Sequence, residues 1–331
     1  MISRRRLLAT TAVASLAAPF VRPAAAQQTI TLRIAHVLSQ AEPAHDACEW
    51  MARNVAQRSN NRVQIQVFGQ GQLGGNREIF ELVRQGANVM SLVDPSGVSD
   101  FIPDWGVLNG PYLLANPFDY RKILRSDWYR ELVERSAQQR MRVVNMNGFF
   151  GPRHSLGSKP LRNPDDMRGV AFRVPPTQMW LETFRALGTR PVTVPWPEVY
   201  NALSQNVVDA VEAPLASLWG SRLHETRRVI SLTNHFNAWI GLVMNEQVYR
   251  RLPQEVQTMI IEEAAKMGDH LTELTIAAND ELIRRFEGAG IQIVRDIDIP
   301  AMTRATASVY SAIPGWSPGL YDRVRAILTA A

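Results

Sequence analysis

Two arginines carry the clearest chemistry in this sequence. Arg153 and Arg173 lie about twenty residues apart, and each sits in a short apolar, strand-like run that Gly or Pro bounds. A guanidinium can hold a carboxylate through two parallel charge-assisted hydrogen bonds. Most arginines in strands are solvated edge residues, so these two become site candidates only through the rest of the chain. Arg162 and Arg168, in the same stretch, are expected to be surface charges.

Residues that could catalyse a reaction or bind a metal do not occur at the spacings that such sites require. The sequence has no Gly-x-Ser-x-Gly turn, and its histidines never fall at metal spacing with a carboxylate. The single cysteine, Cys48, excludes an internal disulfide framework and argues against a cysteine-based metal site. His154 follows Arg153 and has either a ligand contact or a structural role. The sequence therefore predicts no metal, no cofactor and no catalytic residue.

One glycine pattern offers an alternative. Gly69, Gly71 and Gly74 form a G-x-G-x-x-G between a predicted strand and a predicted helix, and Asp94 follows about twenty residues later. This arrangement is typical of dinucleotide binding and would make the chain an exported nicotinamide-dependent oxidoreductase. Against it, an earlier strand already opens the fold, and Gly75 loosens the helical turn where a pyrophosphate should bind.

The first 26 residues have the pattern of an export signal. A basic head with arginines at positions 4, 5 and 6 precedes a short apolar run and a small-residue exit at 24–26. Paired arginines after Ser3 fit the twin-arginine type. The leader holds four positive charges and no acid, so the formal net charge of +5 falls to +1 in the remaining chain. A nearly neutral chain without basic runs disfavours nucleic acid as a partner.

Hydrophobic periodicity predicts an α/β fold. Alternation at 29–36 and 62–68 and a buried run at 89–93 indicate strands, whereas 43–58 and 76–85 have helical spacing. This β-α-β-α-β order predicts a mostly parallel sheet covered by helices, with ligands beyond the carboxyl ends of the strands. The second half repeats the order, and the length fits about two domains.

The longest periodic segment, 253–287, has one apolar stripe opposite charged residues. At about 1.5 Å per residue, a helix of this length would cross a whole domain, and we expect it to bridge two. Strands are predicted at 229–233 and 238–244, where the chain could return to the first domain.

Several local patterns follow one another along the chain. They are Gln70-Gly71-Gln72-Leu73-Gly74, Pro111-Tyr112-Leu113-Leu114, Gly151-Pro152-Arg153, Asp166-Met167-Arg168-Gly169-Val170-Ala171-Phe172-Arg173-Val174-Pro175, Pro197-Glu198-Val199-Tyr200-Asn201-Ala202-Leu203, Val208-Asp209-Ala210-Val211-Glu212 and Leu252-Pro253. Each is weak alone, but the ordered set resembles the solute-binding proteins of tripartite ATP-independent periplasmic (TRAP) transporters, of the dicarboxylate-binding (DctP) type. The resemblance covers essentially the whole chain after the leader. The Gln-x-Gln-Leu-Gly loop belongs to that family, which accounts for the glycine pattern.

The resemblance implies a two-domain periplasmic binding protein of type II-like α/β fold, with a hinge and a long bridging helix. Its cleft would close on a carboxylate, which Arg173 would bind. Arg153 would lie at the domain crossover as a second arginine, and Trp196 would form a wall of the pocket. Asp94 would meet the ligand from the first domain.

Four further positions complete the implied ligand-binding set. Glu212 ends the Val-Asp-x-x-Glu run, and Ala213 follows it where the family often has an asparagine that contacts the ligand. The alanine therefore favours a smaller or less polar ligand over a heavily hydroxylated sugar acid. Asn237 on the return segment and His154 beside the first arginine are the remaining candidates.

The implied function is that of a periplasmic receptor without enzymatic activity. It would bind a small organic acid and deliver it, as a monomer, to the small and large TRAP membrane subunits for sodium-coupled uptake. Domain I would comprise 27–150 with about 239–278, and domain II 151–238 with about 279–331. A binding subunit that serves a sensor or another transporter is an alternative. Candidate ligands run from C4-dicarboxylates and keto acids to aromatic acids.

Overall fold

The computed structural model describes residues 29–330. The predicted signal peptide, 1–26, lies outside this range. Within it, no helix combines the length and the apolar character that crossing a membrane requires.

The strands form one large mixed sheet and one small parallel sheet. They are β1 (Ile30–Ala35), β2 (Val63–Phe68), β3 (Met90–Val93), β4 (Met141–Val143), β5 (Gly148–Gly157), β6 (Ala171–Val174), β7 (Arg190–Thr193), β8 (Val211–Pro214), β9 (Val229–Asn245) and β10 (Gln292–Val294). The large sheet has the order β2-β1-β3-β9-β5-β8, with β4 and β10 also paired to β9, and β6 pairs with β7. The opening strands are parallel as predicted, but β9 runs antiparallel to β3 and β5, and β5 runs antiparallel to β8. The expectation of a mostly parallel sheet is therefore correct only for the opening.

The helices cover the sheets and join their edges. They are α1 (Pro43–Arg58), α2 (Asn76–Arg84), α3 (Pro95–Ser99), α4 (Tyr120–Arg125), α5 (Asp127–Gln138), α6 (Pro164–Met167), α7 (Gln178–Ala186), α8 (Val199–Ser204), α9 (Leu215–Gly220), α10 (Glu246–Arg251), α11 (Gln254–Gly288), α12 (Ile299–Thr306), α13 (Val309–Ala312) and α14 (Leu320–Thr329). Short 3₁₀ segments, among them Trp196–Glu198, lie between them.

Strand β9 is one continuous strand of 17 residues, where the sequence predicts two. Its first residues pair with β10 and its last residues pair with β3 and β4. Strand β5 follows it antiparallel, with register shifts at Phe149/Gly151 and Arg153/Ser155. Gly151 has φ +115°, a conformation that side chains with a Cβ rarely adopt. Two strands therefore connect the sheet formed by the opening elements with the sheet region that holds β8.

The long helix α11 has 35 residues, a length of about 52 Å. It packs on α1 and β5, and further along the chain on α9 and β10. The apolar stripe supplies this packing: Val256, Met267 and Leu271 join the cluster around α1, while Leu282 and Phe286 join a cluster around α9. The predicted bridging helix is therefore confirmed.

The buried apolar side chains fall into separate clusters rather than one core. Side chains of β9 alternate between two of them, with Trp239 and Val243 on one face and Ile240 and Leu242 on the other. Two further clusters surround β8 and β6. Trp196 packs against the cluster that contains Trp239 and against the one around β8, so it links the two groups.

Candidate functional site

Arg173 is a buried cation in the middle of β6. Its side chain is 2% exposed, its Nε donates to the Val194 carbonyl at 2.8 Å, and its guanidinium lies 5.3 Å from the ring centre of Trp196. Neither Nη atom is hydrogen-bonded to any residue in 29–330, and no acidic side chain there forms an ion pair with it. Burial lowers the pKa of Arg173 to about 9, against the opposing charge of Glu212, so the group stays charged at neutral pH.

Arg153, on β5, differs because it already has a carboxylate. Its Nε and Nη2 donate to the two oxygens of Glu212 at 2.5 and 2.8 Å. Burial opposes ionisation of Glu212, but the charge and hydrogen bonds of Arg153 hold the pKa of that carboxyl below its usual value. The guanidinium also lies 5.4 Å from the ring centre of Trp180. The positive charge of Arg153 is therefore largely neutralised within the protein.

Glu212 is saturated with donors. Besides Arg153, the indole Nε1 of Trp180 donates to it at 3.0 Å, and His235 Nε2 lies 3.2 Å from its other oxygen. His235 Nδ1 in turn lies 2.8 Å from Thr233 Oγ1. Trp180 and His235 are absent from the sequence-based set. Trp180 lies in a predicted helix and His235 between two predicted strands, and neither spacing indicates a common partner.

Asp94 ends β3 and caps α3. Its Oδ1 accepts from the backbone N–H groups of Ser96 at 2.9 Å and Gly97 at 3.3 Å, whereas its Oδ2 has no hydrogen-bond partner in the described chain. Burial raises the pKa of Asp94, and the charge of Arg153 acts against that rise. Asp94 therefore lies within electrostatic reach of Arg153.

The other three candidates have identified structural partners. His154 is buried, accepts from the Asn234 N–H at 3.2 Å, and has its pKa lowered to about 3 by burial and by His235. Asn237 donates to the Leu114 carbonyl at 3.2 Å. Ala213 is 1% exposed and packs in the apolar cluster around β8, on the face opposite Glu212. The structure thus brings together Arg173, Arg153, Glu212, Trp196 and Asp94 as one candidate site. His154, Asn237 and Ala213 lie at the margin of that site.

The glycine loop at 69–74 does not form a phosphate site. It joins β2 to the nine-residue α2, and Gly74 has φ +108°. The carboxylate of Glu78 stands over the start of α2, where a Cβ on Gly75 would lie 2.8 Å from its Oε2. An acid at that place repels a pyrophosphate. Gly71 instead lies beside Pro197, so the loop packs against the segment that carries Trp196.

These features together define a class of protein. An α/β fold with two continuous connecting strands, a long bridging helix and a buried guanidinium at the junction is that of a two-domain solute-binding protein. The chain belongs to the bacterial extracellular solute-binding protein family 7, the DctP family, whose model matches residues 34–314.

Similar proteins agree with this membership. Over 315 residues the chain is 32% identical to an uncharacterized protein of Sinorhizobium fredii, a match that covers 93% of this chain but only 57% of that protein. A TRAP periplasmic solute-binding protein from Ochrobacterium anthropi, with bound L-fuconate, superimposes with a TM-score of 0.88 at 30% identity, covering 91% of this chain and all of the other. One from Actinobacillus succinogenes, with bound L-galactonate, gives a TM-score of 0.88 at 29% identity, covering 90% and 99%.

The family membership decides several expectations. The predicted two-domain α/β fold and the resemblance to TRAP solute-binding proteins are confirmed. The protein is an extracytoplasmic receptor of a transport family rather than an enzyme, so the oxidoreductase alternative is wrong.

Proposed function

We propose that this receptor captures a small organic acid between its two domains and that Arg173 receives the carboxylate. The observation that carries the proposal is a buried guanidinium, in a residue that is 2% exposed, whose two Nη atoms have no partner within residues 29–330. An unpaired buried charge costs free energy, and a structure keeps one when a ligand supplies the opposite charge.

The proposed binding energy is sufficient for a transport receptor. Each charge-assisted hydrogen bond contributes about 1.5–3 kcal/mol, and a micromolar dissociation constant needs about 8 kcal/mol. Two bonds from Arg173 with apolar contact on Trp196 would reach that range. The indole also shields the guanidinium from water, which strengthens the ion pair.

Closure around the ligand would follow from contacts made by both domains. A ligand shifts a conformational equilibrium only through its different affinity for the two states. Arg173 and Trp196 would hold the ligand from one side and Asp94 from the other. We place domain I at 27–150 with about 239–278, and domain II at 151–238 with about 279–331. The passage of β5 and β9 between the two groups of core residues supports the division at these strands. Helix α14 departs from it, since Leu320, Val324 and Leu328 pack in the core cluster of domain I.

Delivery to membrane partners is part of the same proposal. The family membership and the TRAP proteins of similar structure support small and large TRAP membrane subunits as partners. We propose that a sodium gradient drives the uptake. Reconstitution of the receptor with both subunits in vesicles should give acid uptake only under a sodium gradient. Uptake that proceeds without sodium would contradict the coupling and leave the binding proposal intact.

Replacement of Arg173 tests the binding proposal. A thermal-shift screen against an organic-acid library should identify acids that stabilise the wild-type protein. Arg173→Met should abolish that stabilisation, and Arg173→Lys should weaken it because the planar fork is lost. The melting temperature without ligand should not fall in Arg173→Met, since the change removes an unpaired buried charge.

The matched control is Arg190→Met. Arg190 is an exposed arginine on β7, the strand next to Arg173. Its replacement should leave both folding and acid binding unchanged. Acid binding that survives in Arg173→Met would refute the proposal.

A further inference from the structure

The charges around the candidate site nearly cancel. Arg153 and Glu212 form a closed buried pair, with one charge of each sign. The two imidazoles nearby, His154 and His235, have pKa values that burial lowers, so they are neutral at physiological pH. What remains is one cation, Arg173 on β6, and one carboxyl group, Asp94 at the start of α3.

The free hydrogen-bonding atoms match these two charges. Arg173 offers Nη1 and Nη2, which have no partner among residues 29–330. Asp94 offers Oδ2, an acceptor, because only its Oδ1 is used in capping α3. The site therefore presents a pair of positively charged donors on Arg173 and a free carboxyl oxygen on Asp94.

The indole rings restrict how the arginines can be approached. Trp196 covers one face of the Arg173 guanidinium, and Trp180 covers one face of the Arg153 guanidinium. A carboxylate must then approach Arg173 along the edge of its fork, which is the geometry for two parallel hydrogen bonds. The corresponding edge of Arg153, its Nε and Nη2, is already occupied by Glu212.

We propose that the site selects monocarboxylates that carry a hydroxyl or another hydrogen-bond donor, and that it rejects dicarboxylates. This inference rests on the proposed function, because it assumes that the ligand's acid group binds Arg173. A second carboxylate would lie near the Asp94 carboxyl, and the other arginine of the site is neutralised by Glu212. Near Asp94 the Tyr120 hydroxyl has no hydrogen-bond partner among residues 29–330, but it supplies no counter-charge. Burial of that second charge without a counter-charge is strongly unfavourable.

Matched ligand pairs test the inference by isothermal titration calorimetry. Each aldonate is compared with the aldarate that differs only in having a carboxylate at its terminal carbon, for example erythronate with meso-tartrate and galactonate with galactarate. The mono-amide of each diacid is the third member, since it keeps the size of the diacid with one charge less. We expect any binding monocarboxylate to bind at least about 100-fold more tightly than its diacid. The mono-amide should recover most of that loss.

Asp94→Asn provides the protein-side test. Asparagine also caps helices, so α3 should be retained, and the site gains one net positive charge. The ratio of the diacid dissociation constant to the monocarboxylate dissociation constant should then be at least about tenfold smaller than in the wild type. Circular dichroism and the unliganded melting temperature check that the variant is folded, and the wild-type mono-amide comparison stands without it.

The outcomes separate this inference from the proposed function. A diacid that binds wild-type protein as tightly as its monocarboxylate, in a manner lost in Arg173→Met, overturns the charge rule and leaves the carboxylate receptor standing. Binding that does not depend on Arg173 overturns both, as does a panel in which no acid binds.

Discussion

Arg153 and Arg173 occur in similar sequence contexts and both are buried, but within residues 29–330 only Arg153 is paired with a carboxylate. Arg153 donates twice to Glu212, whereas Arg173 bonds only a backbone carbonyl. The sequence identifies both residues through their spacing and surroundings. It does not predict which one is paired, because Glu212 lies 59 positions from Arg153 and meets it only through the antiparallel pairing of β5 with β8. Residue types were therefore predictable and their partners were not.

Among the polar residues of the site, Glu212 is expected to cause the largest loss of unfolding free energy when it is replaced. Glu212→Gln removes the charge that balances Arg153 and leaves a buried guanidinium unpaired, so unfolding free energy should fall by about 3–5 kcal/mol. Urea unfolding followed by tryptophan fluorescence measures this loss. Glu225→Gln is the control, since Glu225 pairs with Arg222 at the surface, and its stability should change little. Equal losses of unfolding free energy in the two variants would contradict the prediction that the buried Arg153–Glu212 pair matters more to stability than a surface pair.

At the scale of elements, amphipathic helices were the most predictable parts. Helix α1 begins and ends where the spacing predicts, at Pro43 and Arg58, and α11 differs from its prediction by one residue at each end. Strand β9 was predicted as two strands because polar residues interrupt its apolar run at Asn234 and His235. Asn234 has φ +44°, yet pairing with β5 resumes beyond it. Such pairing depends on distant residues, so periodicity within the segment cannot show it.

Close packing on β9 predicts an intolerant glycine. A Cβ at Gly241 would lie 2.0 Å from the Asn145 carbonyl oxygen, which is backbone and cannot rotate away. Gly241→Ala should therefore lower unfolding free energy by about 2–3 kcal/mol, measured by urea or thermal unfolding. Gly288→Ala, at the end of α11, meets nothing within 4 Å and should be neutral or slightly stabilising. A neutral Gly241→Ala would show that the 145–146 segment packs less closely on β9.

At the scale of the whole molecule, several polar contacts join the two proposed domains, and one of them involves a buried glutamate. Glu42, before α1, accepts from Ser217 Oγ on α9 at 2.5 Å and from the Ser39 N–H at 2.9 Å. Glu42 is 1% exposed, and burial raises its pKa to about 7 despite those two hydrogen bonds. The groove beside it is lined by other titratable groups, namely His45, Asp46, Glu49 and Arg53.

The raised pKa of Glu42 gives the stability of the folded protein a pH dependence. The folded state binds the proton more tightly than the unfolded state, so this contribution is present below about pH 4.5 and is lost as pH rises through about 7. The loss amounts to about 3 kcal/mol. Buried His36, whose pKa is lowered to about 4, acts in the opposite direction. The expected signature is therefore the difference between wild type and Glu42→Gln.

Melting temperatures measured from pH 5 to pH 8 test this expectation. The difference in stability, wild type relative to Glu42→Gln, should fall steadily over this range. Asp46→Asn, on the exposed side of α1, is the control, and its curve should run parallel to that of the wild type. Parallel curves for Glu42→Gln would mean that Glu42 has an ordinary pKa in the folded protein.

The unpaired guanidinium of Arg173 also bears on how the protein must be prepared. A cation of this kind attracts small anions during purification, so acetate, formate or citrate buffers will compete with the physiological acid and weaken its apparent affinity. Protein taken directly from cells should retain its own metabolite through chromatography. Unfolding in a zwitterionic buffer, removal of the released small molecules and refolding would give material suitable for titration. Mass spectrometry of the released fraction would then identify the metabolite without any candidate library.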